Sequence, residues 1–300
     1  MTLPDLAELI ALRGVAHGLD LRAHRPAMAR LYGSHRSAQR GRGLEFEEVR
    51  PYIAGDDVRN IDWRVTARRG KPHTKLFREE RERPVWLILD LHDGLFFGSK
   101  RQLKSALLLR AAALLGWVAV QGGDRLGAVI ARPDASPLIY PARSREAGVL
   151  PMLQALVELQ PTAPRLPQSA TLDHLLSAAR PMLQSGSLVL ILSDFSTLDA
   201  PTENALGALA SQHDCRLLWL TDPLEHDGLP DGSYQVGIPG RRWWLDGRRS
   251  QQPWHAAWQR RKQTLQMLSQ RLNLPLTRLD TAAAVSDSLP ALLREPLWLA

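Results

Sequence analysis

The chain has 300 residues, 44% of them apolar and 23% charged, with 38 Lys and Arg against 31 Asp and Glu. These values describe a globular protein large enough for one big core, or a core with a smaller unit, and exclude a disordered or fibrous chain. A single cysteine, Cys215, excludes an intramolecular disulfide; its apolar surroundings mark it as a small packed hydrophobe and fit a reducing compartment. The basic excess is uneven. Residues 1–83 carry 17 basic and 12 acidic groups, residues 84–240 carry 11 and 15, and residues 241–262 carry 7 and 1. Mutual neutralisation between packed pieces is the plain reading. Nucleic-acid binding through the basic flanks is the sharper one, and no recognised reading module accompanies it.

Residues 1–34 are expected as an N-terminal helical segment strapped across the main body, with Leu3, Leu6, Leu9, Ile10 and Leu12 at helical spacing over a helix spanning 3–31. No basic stretch leads into an apolar one, so no secretory signal is expected. The longest apolar candidate, residues 106–120, contains Arg110 and is shorter than the ~20 residues that span a bilayer. The expectation is a cytoplasmic protein with no membrane span.

Residues 35–83 read as a β-rich region. Within it Gly55, Asp56 and Asp57 form a turn and a helix start, and Arg50, Arg59, Arg64 and Arg68 lie close in sequence to Asp56, Asp57 and Asp62. That mixture suits Arg forks on carboxylates, either as structural ion pairs or as a docking patch. Val85–Leu89 is then an apolar run without alternation, as in a strand covered on both faces, and it ends at Asp90. Strands and helices alternate afterwards: a buried helix over 100–121, an antiparallel strand pair at 124–130 and 137–140, helices at 146–159, 171–183 and 201–212, and strands at 188–192 and 215–220. A hairpin over 233–246, a helix over 252–272, a strand at 276–279 and a closing helix at 289–294 follow. This order predicts a mostly parallel sheet flanked by helices. The hairpin is expected to join the β-rich region, leaving 84–232 and 247–300 as the core.

Gly43, Glu45, Phe46, Val49, Arg50, Tyr52, Gly55, Asp56, Asp57, Arg59, Ile61, Asp62, Trp63, Thr66, Ala67 and Arg68 form a long pattern. It closely resembles the signature of the domain-of-unknown-function 58 family, which is bacterial and archaeal. Later pieces agree: the strand ending at Asp90, Gly123–Gly127, Ser193-Asp194-Phe195, and Asp222-Pro223 with Glu225. The resemblance implies a von Willebrand factor A-like core, a neighbouring MoxR-type AAA ATPase as partner, and contact with other von Willebrand factor A proteins. It assigns no activity. In von Willebrand factor A domains an Asp-x-Ser-x-Ser loop, a Thr and a further Asp hold a divalent cation. The corresponding residues here are Asp90, His92 and Gly94, then Thr171 and Asp194. Two hydroxyl ligands are replaced, so the resemblance implies a degenerate site. A cation there would be Mg2+ on oxygen ligands, or Zn2+ if His92 is a ligand. The opposing reading is Asp90 held by hydrogen bonds, with no cofactor.

The expected function is therefore a non-enzymatic interaction protein, an adaptor of the ATPase that binds through the apical loops. A metal-dependent enzyme using Asp90, His92 and Asp194 is the alternative. There is no Gly-x-Ser-x-Gly elbow and no phosphate-cradling loop. Arg241, Arg242, Trp243 and Trp244 mix cations with aromatics; packing of the hairpin onto its neighbour is the plain expectation. Arg260, Arg261 and Lys262 are expected on a solvated helix face.

Overall fold

A computed structural model describes residues 2–19, 21, 44–53, 58–79, 84–132, 135–165, 172–238 and 241–294. Packing divides the chain into two units, Met1–Pro26 with Arg83–Ala300, and Ala27–Glu82. The larger unit begins with helix α1 (Leu6–Val15), capped by Asp5, whose side chain accepts the Glu8 N–H at 2.8 Å. The expected helix over 3–31 is thus much shorter among the described residues, because the 14–18 stretch carries two glycines and Gly18 sits at φ 79°.

The smaller unit pairs β1 (Leu44–Pro51) antiparallel with β2 (His73–Glu79), and a bulge separates Phe46 from Glu48. Between them lie a 3-10 turn, Val58–Asn60, and helix α2 (Trp63–Arg69). Asp62 caps α2 by accepting the Arg64 and Val65 N–H groups at 2.9 and 3.1 Å. Gly70, at φ 68°, ends it in the left-handed conformation that glycine adopts without strain.

In the larger unit six strands form one sheet. They are β3 (Pro84–Leu89), β4 (Arg125–Arg132), β5 (Ala135–Ser144), β6 (Leu188–Ser193), β7 (Asp214–Thr221) and, after the separate hairpin β8 (Ser233–Ile238) and β9 (Arg241–Asp246), β10 (Leu276–Asp280). The spatial order is β10-β7-β6-β3-β4-β5, parallel except for the β4–β5 pair at one edge. The fold is a mixed α/β protein with a mostly parallel central sheet, as the alternation of elements predicted. The hairpin forms a sheet of its own and belongs by its packing to the larger unit.

The apolar run of β3 is explained by two cores. Val85, Leu87 and Leu89 enter one, while Trp86 and Ile88 enter the other, since successive residues of a strand point to opposite faces. The first face is covered by α1, α3 (Lys104–Gln121), α4 (Glu146–Leu159) and α9 (Val285–Arg294). The second is covered by α5 (Leu172–Ala179), α6 (Ala200–Ala210) and α8 (Gly247–Arg271). The short α7 (Pro223–Asp227) follows β7. Helix α3 is apolar on nearly every side and is buried accordingly. It is long and apolar enough to cross a membrane, yet 83% of it is buried inside the fold. The α1 strap is fixed to it: the Trp117 indole donates to the Leu9 carbonyl at 3.1 Å, and Arg110 pairs with Glu8 at 2.5 Å. Cys215 is buried, and burial pushes its thiol up to about 12.

Candidate functional site

Four neighbouring parallel strands each deliver an aspartate at the C-terminal edge of the sheet. Asp280 ends β10, and Asp222, Asp194 and Asp90 directly follow β7, β6 and β3. The chain runs from β3 to β4 on one side, while β6 lies on the other. This reversal opens a crevice between β3 and β6, the place where open α/β sheets bind ligands. Asp90 and Asp194 flank that crevice.

Beside Asp194 stands a lysine. Lys104, the first residue of α3, is only 2% exposed, and its ammonium lies 2.9 Å from Asp194 Oδ2 and 2.9 Å from Glu225 Oε1. A cation at the positive end of a helix is disfavoured, and a buried one more so. Two carboxylates offset both costs. Arg261, reaching over from α8, stands 3.5 Å from Glu225 and 3.9 Å from Asp194 and donates to the Asp194 carbonyl. The Phe97 ring lies 5.7 Å from the ammonium.

Asp194 is held on every side. Its Oδ1 accepts the Ser196 N–H at 3.0 Å, and its carbonyl also accepts the Trp219 indole N–H at 3.1 Å. Burial alone would raise its pKa, but His92 and Lys104 overcome this and hold it far below the usual carboxylate range. Phe195 then adopts φ 50°, a left-handed conformation uncommon for a bulky residue, with its N–H donated to Ser193 Oγ at 2.8 Å. That same hydroxyl donates to Asp90 Oδ2 at 2.6 Å. Burial raises the Asp90 pKa, with His92 and Ser193 opposing.

His92 faces Asp194 and lies within electrostatic reach of Asp90. Its Nε2 is 3.6 Å from Asp194 Oδ1, and its Nδ1 accepts the Gly94 N–H at 3.1 Å. Burial works against the charged ring, yet the Asp194 and Asp90 carboxylates outweigh it and raise the pKa above 6.5. A raised folded-state pKa stabilises the protein fully below the unfolded value and loses that contribution as pH rises through the folded value. The Tm advantage of the wild type over His92→Gln should therefore shrink as pH is raised from 6 toward alkaline values. A thermal-melt series of both proteins checks this; a gap that stays constant or widens is the contrary result.

A second knot lies one strand away. Asp222 accepts the Ser99 N–H at 2.7 Å, the Ser99 hydroxyl at 2.5 Å and the Leu224 N–H at 2.9 Å, and also the Thr281 hydroxyl. Glu225 closes a capping box by accepting the Asp222 N–H at 3.0 Å. Asp222 thereby ties the loops after β3, β7 and β10 together. His226 joins the rim at Asp280, 3.3 Å away.

Against a divalent cation the residues present do not fit. Asp194 Oδ2 already faces an ammonium, Asp90 Oδ2 accepts the Ser193 hydroxyl, and a further cation beside Lys104 would be repelled. Among the described residues no three His, Cys, Asp or Glu side chains are grouped to hold a metal. Thr171 lies outside the described residues. The structure thus brings Asp90, His92 and Asp194 together as the sequence indicated, with a lysine on Asp194 that sequence reasoning passed over. Its local signal was weak, because Lys104 follows Lys100, Arg101 and Gln102 at the entry to α3. Arg261 corrects another expectation, since it turns inward from the basic triplet expected to be solvated.

In the smaller unit, Arg50 is half-buried and donates to the Pro51 carbonyl at 3.1 Å. Tyr52 is half-buried, Asp62 is the α2 cap, and Arg59, Trp63 and Arg68 are exposed. Asp56 and Asp57, the expected helix start, lie outside the described residues.

Fold and site together define a protein built on a six-stranded, mostly parallel sheet with an internally charge-compensated apical rim. The chain belongs to the family described as Protein of unknown function DUF58, which matches residues 48–264. It is similar to Uncharacterized protein Rv1480 of Mycobacterium tuberculosis and Uncharacterized protein Mb1516 of Mycobacterium bovis. Each is 34% identical over 203 residues, which span 67% of this chain and 62% of the relative. Among solved structures it is similar to the conserved hypothetical protein BatB of Bacteroides thetaiotaomicron, at TM-score 0.45 and 12% identity over 70% of this chain and 96% of that one. An aerotolerance-related membrane protein of Bacteroides fragilis, carrying multiple mutations to serine, gives TM-score 0.45 and 13% identity over 72% and 98%.

Proposed function

We propose that the chain is a non-enzymatic interaction protein with a von Willebrand factor A-like core. Its partner on this reading is a MoxR-type AAA ATPase, in the cytoplasm, with docking at the loops that crown the sheet. The supporting observation is Lys104. Its ammonium stands between Asp194 and Glu225, where a metal-dependent site would need open carboxylate oxygens. Asp90 and Asp222 are likewise engaged by neighbouring hydroxyls. The rim is then a fixed platform, shaped by internal ion pairs and presenting its loops to a protein. The metal-dependent enzyme built on Asp90, His92 and Asp194 is disfavoured on the same ground. Ser196 and Thr197 are exposed on the loop after β6, next to the cluster but outside its hydrogen bonds through their side chains.

Capture of the purified ATPase by immobilised protein tests this. Ser196→Arg and Thr197→Arg should reduce capture at least tenfold, roughly 1.4 kcal/mol, with Tm unchanged. Equal capture by both variants and the wild type removes the apical face from the interaction.

A further inference from the structure

The β8–β9 hairpin carries a feature that the apical cluster leaves unused. Side chains alternate across such a ribbon, so Val236 opposite Trp243 lies on one face and Gln235 opposite Trp244 on the other. A ribbon packed onto its neighbour covers one face and leaves only the other to water. Here both faces expose apolar groups: Trp244 is 74% exposed on one and Val236 38% on the other. The next pair toward the root, Tyr234 and Leu245, is half-buried. The hairpin is thus half-buried at its base, and Trp244 stands clear of the packing expected from sequence.

Charge accompanies the tryptophans. Arg242 shares a face with Trp244 and is exposed, and Arg248 and Arg249 are exposed in the first turn of α8. Asp231 and Asp246 are the exposed acidic groups at the root, and the Asp246 carboxylate accepts the Arg249 N–H at 2.9 Å as the α8 cap. Residues 241–262 carry seven basic groups against one acidic group.

We propose that this hairpin anchors the protein to an anionic phospholipid surface. Tryptophan rings favour the boundary between headgroups and acyl chains, and nearby arginines are drawn to anionic headgroups. Nucleic acid would stack bases on Trp244 beside Arg242 and leave the apolar group on the opposite face unused. An interfacial layer receives a narrow ribbon with apolar groups on both faces. Binding is peripheral and draws on both burial and charge.

Flotation of the full chain with phosphatidylcholine vesicles, with and without phosphatidylglycerol, tests the proposal. The wild type should float with the anionic vesicles, less so as salt is raised, and weakly or not at all with neutral ones. Trp244→Ser and Arg242→Glu should each weaken anionic binding by about tenfold, with Tm unchanged because both side chains are exposed. Failure to bind anionic vesicles overturns the proposal, as does equal binding by both variants. Retention of a single-stranded oligonucleotide that depends on Trp244 and Arg242, without vesicle binding, also overturns it and assigns the surface to nucleic acid.

Discussion

Lys104→Met should lower stability by about 3–5 kcal/mol, the usual cost of removing one partner from a buried ion pair. For a unit of this size that is a fall of roughly 6–20 °C in Tm. Methionine fills nearly the same volume, so the loss reports charge rather than a cavity. Asp194 and Glu225 would be left with Arg261, 3.9 and 3.5 Å away, and with His92, 3.6 Å from Asp194, to compensate. A triple variant, Lys104→Met with Asp194→Asn and Glu225→Gln, should recover most of the loss, because it removes the unpaired charges together. Denaturation of the three proteins separates this from a packing defect, which the triple variant would not repair. In the wild type, Mg2+, Zn2+ or a chelator should leave Tm unmoved. A metal-dependent rise would show that the crevice accepts a cation beside Lys104 and would sink the charge argument.

Asp222→Ala should be comparably severe. Asp222 is 0% exposed and receives four hydrogen bonds from Ser99, Leu224 and Thr281. Each donor left without an acceptor costs about 1–3 kcal/mol unless water reaches it, and about 3–5 kcal/mol in all is expected. Asp222→Asn keeps the shape and one good acceptor, so it should lose less. Burial opposes the Asp222 carboxylate, but the Ser99 and Thr281 hydroxyls outweigh it and lower its pKa. A lowered pKa confers stability above the unfolded value, about 3.9 for Asp. That stability is lost as pH falls through the folded value. The Tm gap between wild type and Asp222→Asn should accordingly close in acid. A gap independent of pH would mean that the carboxylate charge contributes nothing.

Much of the sheet was legible because its causes are local. The Val85–Leu89 run, the turn before Arg125 and the apolar helix after residue 103 carry their own periodicity, and Asp90 and Asp194 stood out as carboxylates ending apolar runs. The cation beside Asp194 was not legible in the same way. Lys104 looks like an ordinary helix-entry residue until Asp194, 90 positions on, and Glu225, 121 positions on, are folded against it. Arg261 was obscured by its neighbours, since a run of three basic residues reads as a wet surface whichever of them turns inward. The hairpin failed for the opposite reason. Apolar residues on both faces of a short ribbon mimic a strand about to be buried, and only the surrounding chain decides whether anything covers it.

Lys104 also sets an order of assembly. Synthesis proceeds from the N-terminus, and domains fold as their segments become available. The lysine and its helix are complete long before either carboxylate partner, and Arg261 comes later still. Until residue 225 has emerged, docking the start of α3 would bury an ammonium with too little compensation. Strands β6 and β7 arrive with the charges that let this end of the sheet shut. Closure of this end of the sheet therefore requires contacts 90 and 121 positions apart, which couples the beginning of the core to its completion.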